Sequence, residues 1–176
     1  MTVKYSILLN LILLVSPLVL SQDLDDRGYI VSVGDRAPDF KAELTSGEPV
    51  NLSDFKGKVV MLQFTASWCG VCRKEMPFIE KEIWQELKEN DDFVLLAIDR
   101  DEPLETVLNY TQEAGITYPV CLDPGADIFA LYAKREAGIT RNVIIDRQGR
   151  IIYLTRLFNR EEFNSMKEVI FNEIAD

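Results

Sequence analysis

Two cysteines three positions apart, Cys69 and Cys72, separate a run that reads as a buried strand from a run that reads as a helix. Ahead of them stands Val59-Val60-Met61-Leu62-Gln63-Phe64, an apolar run of the kind covered on both faces of a sheet. Behind them Met76, Ile79, Ile83, Trp84 and Leu87 recur three or four residues apart, as on the inner face of a helix. Strand, turn and helix in this order put the pair where the helix begins. Unpaired backbone N–H groups and the helix dipole favour an anion at that place, so the first thiol can ionise near neutral pH. The second thiol, one turn on, faces the same side and can close a disulfide with the first.

What the chain lacks narrows the chemistry further. None of its 176 residues is a histidine. That removes Ser-His-Asp and Cys-His catalysis, His-ligated metals and imidazole switches. Proton transfer falls to carboxylates, Lys, Tyr, the thiols or water. The net charge of −10 argues against nucleic acid and anionic membrane as partners. A zinc or iron–sulfur site needs ligands beyond one cysteine pair, and there is no second pair, so no metal is expected. A static structural disulfide is the plain alternative for Cys69 and Cys72. So small a loop constrains little of the unfolded chain, which favours a redox role. Cys121 reads as a buried strand residue.

Residues 1–21 have the form of a signal peptide. Lys4 gives the positive start, an apolar stretch follows over residues 7–20, and Val19 and Ser21 are small enough for a cut before Gln22. Asn10, Ser16 and Pro17 interrupt the stretch, which is short for a membrane span. A mature form without a span is therefore expected, with an uncleaved leader acting as anchor as the alternative. Export, most simply to the periplasm, would place the thiols in an oxidising compartment. Residues 22–32 are taken as a flexible N-terminal segment and 33–176 as one domain.

Along that domain, Phe40, Ala42 and Leu44 alternate with polar residues as a half-buried strand does, and residues 50–52 can pair back across the turn at 45–49. Further strands are expected over 59–64, 92–99, 118–122, 142–146 and 150–155. Helices are expected over 69–89, bent at Pro77, then from Pro103 to near Gly115, over 126–134 and over 161–174. The order calls for an α/β fold, a central mixed sheet with helices on both faces and an N-terminal β-hairpin.

With Cys-x-x-Cys after the first central strand, this order resembles the thioredoxin fold, a three-layer α/β/α sandwich. Three local motifs are narrower: Gly34-Asp35-x-Ala37-Pro38-Asp39-Phe40, Leu52-Ser53-Asp54-Phe55-Lys56-Gly57-Lys58-Val59-Val60, and Trp68-Cys69-x-x-Cys72-Arg73-x-Glu75-x-Pro77. Together they resemble the exported TlpA/ResA-type thiol–disulfide oxidoreductases, grouped with the AhpC/TSA-like branch. The resemblance implies that Cys69 is the nucleophile that forms a mixed disulfide with substrate, and that Cys72 resolves it. It implies an aromatic flank at Trp68, a substrate-facing turn at Gly70 and Val71, and a buried carboxylate at Glu75 able to relay a proton. It also implies protein thiols and disulfides as substrates, an upstream electron donor or acceptor, and no cofactor beyond the cysteine pair.

The chain departs from the family pattern at three places. Counting back from Ile145-Asp146, the position of the family's cis-proline facing the thiols is Thr140. A cis peptide before Thr costs about 2.5–4 kcal/mol, against about 0.5–1 before Pro, so a strained or reshaped loop is expected. Thr140 also adds an N–H and a hydroxyl beside the sulfurs. Gln63 stands where classical thioredoxin buries an Asp, leaving Glu75 as the internal base. Gly70-Val71 is not the Gly-Pro of thioredoxin. Two other functions compete. A peroxiredoxin-type peroxidase expects Pro-x-x-x-Thr-x-x-Cys, but Thr65 precedes Cys69 by four and the proline is missing. A non-enzymatic binding module on the same fold finds its support in Thr140.

Overall fold

A computed structural model describes residues 27–175. Seven strands make one mixed sheet: β1 (Lys41–Leu44), β2 (Pro49–Asn51), β3 (Val59–Thr65), β4 (Phe93–Arg100), β5 (Val120–Asp123), β6 (Arg141–Ile145) and β7 (Ile151–Arg156). Their order in space is β2-β1-β5-β4-β3-β6-β7. The β3–β4 and β4–β5 pairs are parallel; β6, β7 and the β1–β2 hairpin join antiparallel.

β3 is buried along its whole length, and its alternate side chains feed two cores. Val60, Leu62 and Phe64 enter one core, Val59 and Met61 the other. Helices α1 (Gly70–Ile79), α3 (Leu104–Ala114) and α5 (Arg160–Ala175) lie over the second, contributing Ile79, Val107, Phe163, Met166 and Ile170. The short α4 (Phe129–Tyr132) closes the first. This is the expected three-layer sandwich with its N-terminal hairpin.

The expected bend after Pro77 takes a particular form. α1 runs through the proline, a π-helical turn follows over Glu80–Trp84, and α2 (Gln85–Leu87) completes the helix. The Gln85 N–H reaches back five residues to the carbonyl of Glu80. Proline has no N–H to give the regular ladder, and the slip into π register comes directly after it.

The boundary placed at residue 33 is corrected by the structure. Within the segment read as flexible over 22–32, Tyr29 and Val31 are core residues. The Tyr29 hydroxyl donates to the carbonyl of Thr155 at 2.6 Å, and the Ile30 N–H to that of Tyr132 at 2.9 Å. Two alternating apolar residues are too few to register as a pattern, yet they seal the first core beside α4. The leader expected over residues 1–21 lies outside the described residues. Among the described residues no helix is long and apolar enough to cross a membrane.

Candidate active site

β3 delivers the chain to the carboxyl edge of the sheet, where α1 begins. Cys69 is the residue capping α1, with φ −85° and ψ 96°, and its Sγ accepts the N–H of Cys72 at 3.1 Å. The two cysteines form a disulfide with Cα atoms 5.3 Å apart, a usual span for such a bond. Both are buried, Cys69 at 6% exposure and Cys72 at 0%, so Cys69 is the less covered of the two. The Sγ of Cys72 faces inward, 4.0 Å from the carbonyl oxygen of Phe64.

Thr140 faces the pair, as its place before β6 implied. Its Oγ1 lies 3.2 Å from the Sγ of Cys69 and 3.3 Å from that of Cys72. No peptide is cis among the described residues, so the loop is reshaped around a trans bond. The Thr140 carbonyl accepts from the Leu157 N–H at 3.2 Å and from Arg156 Nη1 at 3.4 Å. These bonds tie the loop to the end of β7. Trp68 is 64% exposed and stands largely in solvent. Gly70 is exposed and Val71 half-buried, which puts both at the rim.

Glu75 is buried at 2% exposure, as the resemblance implied. Its Oε1 accepts from Asn142 Nδ2 at 2.7 Å, and the same amide donates to Thr155 Oγ1 at 2.9 Å. Burial pushes the Glu75 carboxyl up to about 7, against the opposing pull of Asn142 and Gln63. Gln63 acts without a formed hydrogen bond, since neither its Nε2 nor Oε2 of Glu75 has a partner at bonding distance. Its Oε1 is taken by the Tyr118 hydroxyl at 2.8 Å. The carboxyl is thus poised to hold or release a proton near neutral pH.

A second buried acid escaped the sequence reading. Asp99, one residue before the end of β4, pairs with Thr65 and is fully buried, with no hydrogen-bond donor to either oxygen. Burial, then the neighbouring Glu102, push it up to about 8. Glu102 in turn accepts the Ser67 N–H and hydroxyl, each at 2.5 Å. From the other side Arg73 Nε donates to the Ser67 carbonyl at 2.9 Å, with its guanidinium 4.7 Å from the centre of the Tyr110 ring. Arg73 also pairs with Glu113 at 3.0 Å. The residue two before Cys69 is therefore gripped on both sides. The available signal was an acid closing an apolar run at the carboxyl end of a parallel strand, where α/β sheets gather their functional groups.

Cys121 is buried in β5, and burial pushes its thiol up to about 12. Among the described residues no group of three or more His, Cys, Asp or Glu could hold a metal ion.

A sulfur at a helix start, with a second sulfur one turn behind it, is built for dithiol–disulfide exchange. Residues 32–170 match the Redoxin family model. The chain belongs to the Redoxin family. Within it, the chain is 33% identical over 122 residues to the thiol-disulfide oxidoreductase ResA of Bacillus thuringiensis subsp. konkukian, covering 69% of this chain and 68% of that relative. Among solved structures, it is 64% identical to a provisionally assigned protein disulfide isomerase from Bacteroides thetaiotaomicron, with a TM-score of 0.83 over 85% of this chain and 94% of that one. A provisionally assigned thiol:disulfide interchange protein DsbE from Chlorobium tepidum is 27% identical, with a TM-score of 0.72 over 82% and 99%. This Redoxin is a thiol–disulfide oxidoreductase with the thioredoxin-like fold.

Proposed function

We propose that the protein works outside the cytoplasm, reducing or exchanging disulfides in other proteins, with Cys69 as nucleophile, Cys72 as resolving cysteine and Glu75 as proton relay. The carrying observation is the asymmetry of the pair. The Cys69 sulfur accepts an N–H at the start of α1 and Cys69 is the less covered residue of the pair, while Cys72 is fully buried. A thiolate at Cys69 gains from that N–H and from the helix start. It attacks a substrate disulfide, one substrate sulfur leaves, and a mixed disulfide forms on Cys69. Cys72 then gives up its proton towards Glu75 and attacks the Cys69 sulfur. The second substrate thiolate leaves, and the Cys69–Cys72 disulfide returns. The dithiol has passed two electrons to the substrate disulfide, and an upstream thiol donor restores it. Trp68, Gly70 and Val71 form the rim that substrate meets, and Thr140, which is buried, faces the sulfurs rather than solvent. Export rests on the leader pattern of residues 1–21.

Reduction of insulin disulfides tests the roles. Cys69→Ser abolishes it, whereas Cys72→Ser leaves a stable mixed disulfide with substrate. Wild-type turnover in both variants would overturn the assignment.

A further inference from the structure

Thr140 is 2% exposed, and one hydroxyl oxygen sits at nearly the same distance from both sulfurs, 3.2 and 3.3 Å. That hydroxyl carries a single proton, so it can donate to one sulfur at a time. We propose that the Thr140 hydroxyl is a catalytic hydrogen-bond donor shared between the two half-reactions, held by the Cys69 thiolate in the reduced site and handed to Cys72 once Cys69 is tied to substrate. The inference rests on the roles of Cys69 and Cys72 given above and adds a third participant to them.

The physical case begins with acceptor strength. A sulfur in a disulfide is neutral and a weak acceptor, whereas a thiolate carries a full charge. Hydrogen bonds to ionised partners are roughly twice as strong as neutral ones. The hydroxyl therefore follows whichever sulfur is ionised. In the dithiol that sulfur is Cys69, which also accepts the N–H of Cys72. After attack on a substrate disulfide, Cys69 is neutral again and releases the hydroxyl. Cys72 must then lose its proton, and the hydroxyl proton can turn about the Cβ–Oγ1 bond towards its sulfur, which lies 3.3 Å from Oγ1 in the closed disulfide. The Cys72 thiolate attacks the Cys69 sulfur, the bond to substrate breaks, and the substrate thiolate departs. Electrons and protons balance as in the scheme above, because Thr140 lends a hydrogen bond and keeps its proton.

The loop is fixed well enough for this. Arg156 and Leu157 hold the Thr140 carbonyl. The next residue, Arg141, is buried, donating through Nε to the Gly138 carbonyl at 3.1 Å and lying 4.4 Å from the centre of the Tyr29 ring. The charged residues on the elements that meet near the pair are Arg73, Lys74 and Glu75 on α1, Arg141 on β6, Arg156 on β7, Asp99 near the end of β4 and Glu102 just beyond it. Replacing Thr140 alters none of them, so a change on replacement reports the hydroxyl.

Thr140→Val is nearly isosteric and removes the hydroxyl. Two readouts are made on the reduced protein: titration of Cys69 by its thiolate absorbance, and the rate at which Cys72 resolves a preformed mixed disulfide with a small aromatic thiol. One lost hydrogen bond to a thiolate predicts a rise of roughly 1–2 units in the Cys69 titration. Resolution slows by roughly tenfold or more on the same reasoning. Thr140→Ser restores both. Thr140→Ala gives the same readouts as valine without a second methyl, in case the valine disturbs the loop. Wild-type behaviour of the valine and alanine variants overturns the proposal. So does a change confined to one readout, or a serine variant that behaves like valine. A different result sinks the underlying assignment instead: a wild-type Cys69 that stays protonated well above neutral pH, or a Cys69→Ser variant that still cycles.

Discussion

Glu75→Gln keeps the shape of the side chain and an acceptor for Asn142 while removing the ionisation. In the fold, burial raises this carboxyl from 4.5 to about 7. In the unfolded chain it titrates near the usual value of about 4.3. The folded protein therefore keeps a proton that the unfolded chain has already released. Stability falls as pH rises from about 4.5 to about 7, then levels off. A rise of about 2.5 units at about 1.4 kcal/mol per unit makes ionised Glu75 cost about 3 kcal/mol above neutral pH. The side chain is almost wholly covered, so solvent screening takes little from that figure. The assay is urea unfolding of the disulfide-bonded protein, wild type and Glu75→Gln, between about pH 4 and about pH 8.5. With the disulfide intact, Cys69 and Cys72 do not titrate. Asp99 titrates in both proteins and drops out of the difference. The advantage of the variant should be near zero at about pH 4 and approach about 3 kcal/mol at the alkaline end. A difference that stays flat across the range would show that Glu75 ionises as readily in the fold as outside it. The proton relay would then have no holder.

Two further outcomes follow from the packing. Glu102→Ala removes both hydrogen bonds that Ser67 donates, each to a charged acceptor worth about 1.5–3 kcal/mol; amide exchange at Ser67 and Trp68, followed by NMR, accelerates by roughly tenfold or more, and unchanged exchange rules out the clamp. Tyr29→Ala opens the first core and cuts the hydrogen bond to Thr155, lowering stability by about 3–5 kcal/mol in denaturant unfolding; a loss below about 1 kcal/mol would mean that this segment does not belong to the folded unit.

Much of the architecture was legible because it is written locally. The run ending at Phe64, the periodic residues from Met76 to Leu87 and the cysteines between them locate strand, turn and helix without tertiary information. Glu75 follows from the family resemblance together with helical spacing, and Thr140 from the place of the family's proline, counted back from a strand with a recognisable end. What stayed hidden depends on residues far apart in sequence. The partners of Tyr29 are Thr155 and Asn142, on β7 and β6. Asn142 sits in a strand whose pattern says nothing of the carboxyl it will meet. Asp99 looks like the polar end of a strand until the fold sets Glu102 beside it and removes the water. The π turn after Pro77 is a slip of hydrogen-bond register, which residue preferences do not encode. The correction at residue 33 has the same origin, since Tyr29 and Val31 become core only when α4 arrives to cover them.

In the proposed cycle, the sealing of Cys72 governs how long a captured client stays captured. No outside thiol reaches that sulfur, so its release of a client is a unimolecular event between two residues whose Cα atoms lie 5.3 Å apart in the closed disulfide. Such proximity amounts to a very high effective concentration. The dwell time of the covalent complex on this route is accordingly an internal clock, insensitive to how much free thiol surrounds the protein.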